Sequence, residues 1–298
     1  MLKNRLITGV LVAAFFLAMI LFAPVWVLLV LMCAVYLLAQ LEYCEMCERS
    51  GYKLERIGIF ACGLLYLGAV VCQDVFQVID ADIEKVLLYL IPAFFVAQSV
   101  LRRKTERAAE CIGLSLLGFW YVAVLLSFMV RIALEHECCS HNCTIIGATT
   151  MERLTLISFV VFVKMSDIGA YTFGMLWGHK IKRRLIPEIS PAKSIPGLFG
   201  AYAGSLLAAT GLSVLVVCVR HKNGLDALPM LQHLWIFALG LLMATVGVMG
   251  DLVESLLKRS FGIKDSSSRF PGMGGFLDIL DSLLFAAPFM YLFMKFVK

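Results

Sequence analysis

The sequence predicts an all-α, polytopic integral membrane protein of about nine transmembrane helices, and three observations carry that prediction. Residues of the class AVILMFWYC make up 61% of the 298-residue chain, and only 16% are Asp, Glu, Lys or Arg, against about a quarter in an ordinary soluble domain. The apolar residues come in runs long enough to cross a bilayer, and the basic residues gather between alternate runs. One soluble core cannot absorb that much apolar surface while keeping a charged, solvated exterior. A soluble globular enzyme, a disordered chain and a small disulfide scaffold are excluded.

A hydrocarbon core of about 30 Å takes roughly 20 helical residues. Residues 6–40 form one apolar tract broken at Ala23-Pro24, read as two short spans, 6–22 and 25–40. The remaining spans are 57–74, 86–101, 111–133, 154–176, 197–218, 234–250 and 276–296. The first span follows Lys3 and Arg5 and could pass for a signal peptide, but a second span comes at once, so it reads as an uncleaved anchor.

The loops test the count. With the N-terminus inside, the inner segments 1–5, 41–56, 102–110, 177–196 and 251–275 carry 18 of the 26 Lys and Arg residues. The outer loops carry only Lys85, Arg153, Arg220 and Lys222. That is the positive-inside asymmetry of a correctly counted topology. The net charge of +5 therefore points to the inner leaflet, and no nucleic-acid partner is expected. The loops are too short for a soluble domain, so residues 1–298 read as one transmembrane catalytic domain.

The ten cysteines add little chemistry. Cys33, Cys62, Cys72, Cys111 and Cys218 sit in or beside spans, where a small apolar thiol is at home. Cys44 and Cys47 form one isolated CxxC, for which neither metal nor redox work is expected. Cys138, Cys139 and Cys143 share an outer loop with His136 and His141; a disulfide or no role is favoured there over zinc.

Ionisable groups inside spans are costly and usually functional. Asp167, Asp251, Asp278 and Asp281 all fall in the cytoplasmic half of their spans. If the helix continues past residue 250, Asp251, Ser255 and Lys258 stand at i, i+4 and i+7 on one face. Asp278 and Asp281, at i and i+3, share a side of the next helix. Between them, residues 258–275 place Gly272, Gly274 and Gly275 just before a helix start, with Lys258, Arg259, Lys264 and Arg269 alongside. Glycines at a helix N-terminus let backbone N–H groups face an anion. With Asp251 and Asp278 to hold a divalent ion, the combination describes a Mg²⁺–polyphosphate site. A second inner loop holds Lys180, Lys182, Arg183 and Arg184, read as a topology signal, then Ser190, Lys193 and Ser194, read as phosphate contacts. His179 reads as interfacial.

These residues resemble a known signature. Ser255, Lys258-Arg259, Lys264-Asp265, then Pro271-Gly272-Met273-Gly274-Gly275 and Asp278-Ile279-Leu280-Asp281 are similar to the S-x-x-K-R-x4-K-D…P-G-H-G-G-x-x-D-R-x-D pattern of the phosphatidate cytidylyltransferases, the CDP-diacylglycerol synthases. Leu2 to Thr8, Asp167 to Gly174 and Ser190 to Ser194 look like further segments of that family. The resemblance implies transfer of CMP from CTP to phosphatidate, giving CDP-diacylglycerol and pyrophosphate. It implies Mg²⁺ on Asp251 and Asp278, with Asp281 and a monovalent cation nearby. Ser255, Lys258, Lys264 and Asp265 would line the nucleotide and phosphate site, and Asp167, Ser190 and Lys193 would complete a polar cavity. It also suggests a homodimer in a bacterial-type inner membrane, with membrane lipids around it and its site open to the cytoplasm.

Two positions depart from the pattern: Met273 stands for the usual His and Ile279 for the usual Arg. A thioether donates no proton, so no acid–base step can rest on position 273. The rivals are a CTP-dependent lipid kinase of the polyprenol type and an ion-coupled transporter. The long signature argues against the first, and the crowding of polar residues at the inner end argues against the second.

Overall fold

A computed structural model describes residues 14–74, 82–101, 107–134, 150–181, 183–222, 230–264, 266–267, 269 and 274–297. Among them, eight helices are long and apolar enough to cross a membrane. In chain order the helices are α1 (14–22), α2 (Val25–Arg49), α3 (Arg56–Asp74), α4 (Ile83–Leu101), α5 (Ala108–Gly118), α6 (Leu125–Leu134), α7 (Thr150–Trp177), α8 (Ile195–Lys222), α9 (Met230–Ser260) and α10 (Phe276–Val297). A π-helical segment, Phe119–Val124, joins α5 to α6 into one span, Ala108–Leu134. Most of the first expected span, residues 1–13, lies outside the described residues, as does the outer loop with Cys138, Cys139 and Cys143.

The chain divides into two compact units. One draws on Met1–Thr155 and Ser260–Leu280, the other on Leu156–Arg259 and Asp281–Lys298.

In the first unit α2 is the organising helix. Pro24 has extended backbone and no N–H to give, so the chain breaks there between α1 and α2. Arg153 closes the break by donating to the carbonyls of Leu21 and Ala23, satisfying the C-terminal acceptors of α1. Further along α2, Tyr36 donates to the Ile59 carbonyl at 3.0 Å, and Tyr43 to the Leu114 carbonyl at 2.8 Å. Both rings lie where neighbouring helices carry glycine: a Cβ at Gly63 would overlap Tyr36, and one at Gly118 would overlap Tyr43. Phe119, fully buried, meets Tyr66 edge-on at 5.5 Å. Arg131 pairs with Glu84, both largely buried.

Helix α2 runs nine residues beyond the end expected from hydropathy, through a stretch read as a loop. The extension, Leu41 to Arg49, is rich in good helix formers, and Glu45 and Arg49 pair at i, i+4. Apolar content alone underestimates a helix whose last turns leave the hydrocarbon.

The second unit rests on close backbone approach. A Cβ at Gly169, Gly200 or Gly204 would run into backbone across the α7–α8 pair, so these helices touch without side chains between them. Ser205 donates to the Gly240 carbonyl at 2.6 Å, tying α8 to α9. A Cβ at Gly250 would meet the Asp281 carbonyl at 2.8 Å, which holds α9 against α10. The basic inner loop is a short antiparallel hairpin, β1 (Arg184–Ile186) with β2 (Ser190–Ser194), pairing Arg184 with Ser194 and Ile186 with Ser190. Ser194 then starts α8, its Oγ accepting from the Gly197 N–H at 3.2 Å. Pro196 follows in the first turn, where no N–H is required.

Replacing Gly204 with Leu should force α7 and α8 apart. Overpacking of this kind costs about 1–3 kcal/mol, so the variant should melt several degrees lower in detergent, while Gly211→Ala, whose Cβ would meet open space, does not.

Candidate active site

Helix α9 continues to Ser260, ten residues past the expected end of its span, so Asp251, Ser255 and Lys258 do lie along one helix. Ser255 donates to Asp251 at 3.4 Å. The same helix brings Glu254, whose side chain is only 1% exposed, and Lys258 meets it at 2.8 Å. Asp251 takes its own cation from the hairpin: Lys193 lies 2.8 Å away. Asp251 is also the open member of the group, with its side chain 43% exposed.

From α10, Asp281 completes the arrangement. Asp251, Glu254 and Asp281 each bring one carboxylate oxygen within 4.8 Å of the other two. Asp281 is buried and accepts from the hydroxyl of Ser282 at 3.0 Å. That hydroxyl also reaches Asp167 of α7 at 3.5 Å, and Lys164, one turn before, lies 3.1 Å from Asp167. Three helices and a hairpin of one unit thus carry a continuous run of charged and hydroxyl groups. Among Asp167, Asp251, Glu254, Asp281, Lys164, Lys193 and Lys258, carboxylates outnumber ammonium groups by one.

The donor set fits a small divalent cation. Three carboxylates from two helices are hard oxygen ligands of the kind Mg²⁺ takes, and the excess negative charge favours a cation. Lys193 and Lys258 offset part of that charge, so a polyphosphate carrying a metal would find both signs at hand.

In the other unit, Asp278 serves the local backbone. Its Oδ2 accepts from Ser266 N at 3.2 Å, Ser266 Oγ at 2.7 Å and Gly275 N at 2.6 Å. Gly274 has φ +88, a left-handed conformation open to glycine, and the Asp278 carboxylate fills the place a Cβ would take. The expectation that Gly275 offers its N–H to a ligand phosphate meets a different arrangement, because that N–H is already held by Asp278. Arg269, expected as a phosphate cation, pairs with Glu42 at 3.3 Å and Glu45 at 2.5 Å. Lys264 is exposed, and Ser190 sits half-buried at the hairpin's end. Asp265, Gly272 and Met273 lie outside the described residues.

Sequence reasoning missed Glu254, Lys164, Ser282 and Glu42. Signals were present for three. Glu254 is three residues from Asp251 and four from Lys258, Lys164 is an ammonium inside an apolar run, and Ser282 adjoins Asp281. Glu42 gives no such signal, because it follows the end of the apolar run that marks α2.

Comparison with known proteins places these residues in context. The model of the cytidylyltransferase family matches residues 3–297. The chain is 29% identical over 295 residues to the phosphatidate cytidylyltransferase of Bacillus subtilis, covering 97% of this chain and 96% of that one. It is 39% identical over 137 residues to the phosphatidate cytidylyltransferase of Staphylococcus epidermidis, 46% of each chain. An uncharacterised protein of Escherichia coli is 32% identical over 143 residues, 48% of this chain and 43% of that one.

Removing Lys258 takes from the buried Glu254 the ammonium group 2.8 Å away, a kind of loss that costs about 3–5 kcal/mol. Lys258→Met should therefore lower the melting temperature in detergent sharply. Adding Glu254→Gln to it should recover most of the loss, and a double variant no more stable than the single would contradict the pairing.

Proposed function

The chain belongs to the cytidylyltransferase family, and from that premise we propose that it transfers CMP from CTP to phosphatidate, releasing CDP-diacylglycerol and pyrophosphate. The observation that carries the reading is the run of carboxylates and ammonium groups from Asp167 to Lys258, built into otherwise apolar helices and the hairpin beside them. A phosphate oxygen of phosphatidate attacks the α-phosphorus of CTP, and the bond from that phosphorus to the bridging oxygen of the β-phosphate breaks. The nucleophile is already anionic, so the reaction asks for charge neutralisation and alignment rather than a strong base.

Lys193 and Lys258 supply fixed positive charge for the nucleotide's phosphates. Their partners Asp251 and Glu254 keep both ammonium groups at the site before substrate arrives, from where the flexible lysine stems can turn to the phosphates. Lys164 and Ser282 orient Asp167 and Asp281. Asp251, Glu254 and Asp281 would hold Mg²⁺, which when bound neutralises polyphosphate charge and stabilises the leaving pyrophosphate. Asp278, which the signature also marks, holds Ser266 and Gly275 at the start of α10. Met273 carries no proton, and nothing in this scheme asks it to.

The distribution of Lys and Arg supports a reading with the N-terminus and the site on the cytoplasmic side. That is the side where CTP is dissolved and where an inner-leaflet phosphatidate headgroup lies. The family resemblance also points to a homodimer, which crosslinking in membranes would report.

Purified protein should release pyrophosphate from CTP only with phosphatidate and Mg²⁺ both present, and the CMP label should appear in lipid. Asp251→Asn and Asp281→Asn should each lower kcat by at least about 100-fold, beyond the usual effect of groups that merely orient a ligand. Label transfer to a prenol as phosphate, with CDP as product, would give the kinase reading instead. Full turnover with Mg²⁺ chelated would overturn the metal assignment.

A further inference from the structure

Helix α10 begins without a side chain at its N-cap position. Gly275 precedes its first residue, Phe276, and stands where Ser, Thr, Asp or Asn would normally accept from the N–H two or three residues on. The N–H of Leu277 is satisfied all the same: it donates at 2.8 Å to Glu42, which comes from the distant helix α2. Asp278 supplies the reciprocal half of the cap by accepting from the Gly275 N–H. Glu42 is fully buried, and its two oxygens also accept from Ser267 Oγ at 2.7 Å, Ser266 Oγ at 3.4 Å and Arg269 at 3.3 Å. A Cβ at Gly275 would fall on the oxygens of Glu42 and Ser266, so the borrowed carboxylate occupies the space that a local cap would fill.

We propose that Glu42 is a positioning residue for the transfer reaction: it holds Ser266, Ser267, Arg269 and the first turn of α10 in register, and so fixes the turn that carries Asp278. The inference rests on the proposed activity for its kinetic consequence, while its structural half stands on the hydrogen bonds alone. A carboxylate suits the task because it accepts several donors at once and complements the positive end of the helix dipole. It touches no reacting atom in this arrangement. Its removal should therefore act on the rate of the chemical step far more than on nucleotide affinity.

The test uses the full-length protein in detergent, with amide hydrogen exchange and steady-state kinetics measured side by side. In Glu42→Ala, exchange should rise at least about tenfold in peptides covering 274–280 and stay unchanged in peptides from α8, as expected of a local opening. kcat should fall about 30-fold with KM for CTP within about twofold, and Glu42→Gln, which keeps one acceptor oxygen in place, should recover to within about threefold of the parent. Gly275→Ala, which drives a methyl group onto the Glu42 oxygens, should reproduce the Glu42→Ala loss, and combining the two should add little. Unchanged exchange at 274–280 in Glu42→Ala would overturn the proposal. So would exchange rising equally everywhere, or a Gln variant as slow as Ala, since either marks a general structural role. If the parent protein transfers no CMP to phosphatidate, the functional reading fails, and the exchange contrast still decides whether Glu42 holds the segment.

Discussion

Carboxylates placed among apolar helices must be matched group by group, because neither lipid nor a packed interior solvates an ionised oxygen. That requirement shapes both units of this protein. In one, Glu42 has no exposure at all and is met by a backbone N–H, two hydroxyls and a guanidinium. In the other, Glu254 is matched by Lys258, Asp251 by Lys193 and Asp167 by Lys164. The lengths of α2 and α9, the hairpin that carries Lys193 and the glycine at 275 follow from where those partners have to stand.

The two solutions differ in what they leave for chemistry. Around Glu42 and Asp278 the acceptors are taken by donors fixed in the chain, several of them backbone, which gives order and no room for exchange. Around Asp251 and Glu254 the partners are lysines, whose long flexible stems can hand a carboxylate to a metal ion and turn to a phosphate, while Asp281 is met by Ser282. The first arrangement organises a segment, and the second can receive a ligand. Asp251, the most exposed carboxylate of its group, stands where a ligand could enter.

Much of this was legible in the sequence. The spans declared themselves through apolar runs of bilayer length, and the stripe Asp251, Ser255, Lys258 followed from helical spacing once α9 was allowed to continue. What was lost has physical causes. Hydropathy ends a helix at its first charged residues, so the turns of α2 carrying Glu42, Glu45 and Glu48 passed for a loop. A hairpin as short as Arg184–Ser194 leaves no period to detect. The π-helical turn at Phe119–Val124 has no composition that marks it. Glycine at a helix start permits a cradle for phosphate, and nothing in the sequence marks the glycines before α10 as already engaged. Only the structure shows that Glu42 and Asp278 hold the N–H groups of Leu277 and Gly275.

Electron paramagnetic resonance of bound Mn²⁺ tests, without relying on turnover, whether Asp251, Glu254 and Asp281 hold one divalent ion. The parent protein should bind one Mn²⁺ per chain in the presence of CTP, displaceable by Mg²⁺, and Glu254→Gln combined with Asp281→Asn should abolish that signal. Mn²⁺ held with undiminished affinity after both carboxylates are neutralised would place the ion elsewhere and contradict the account.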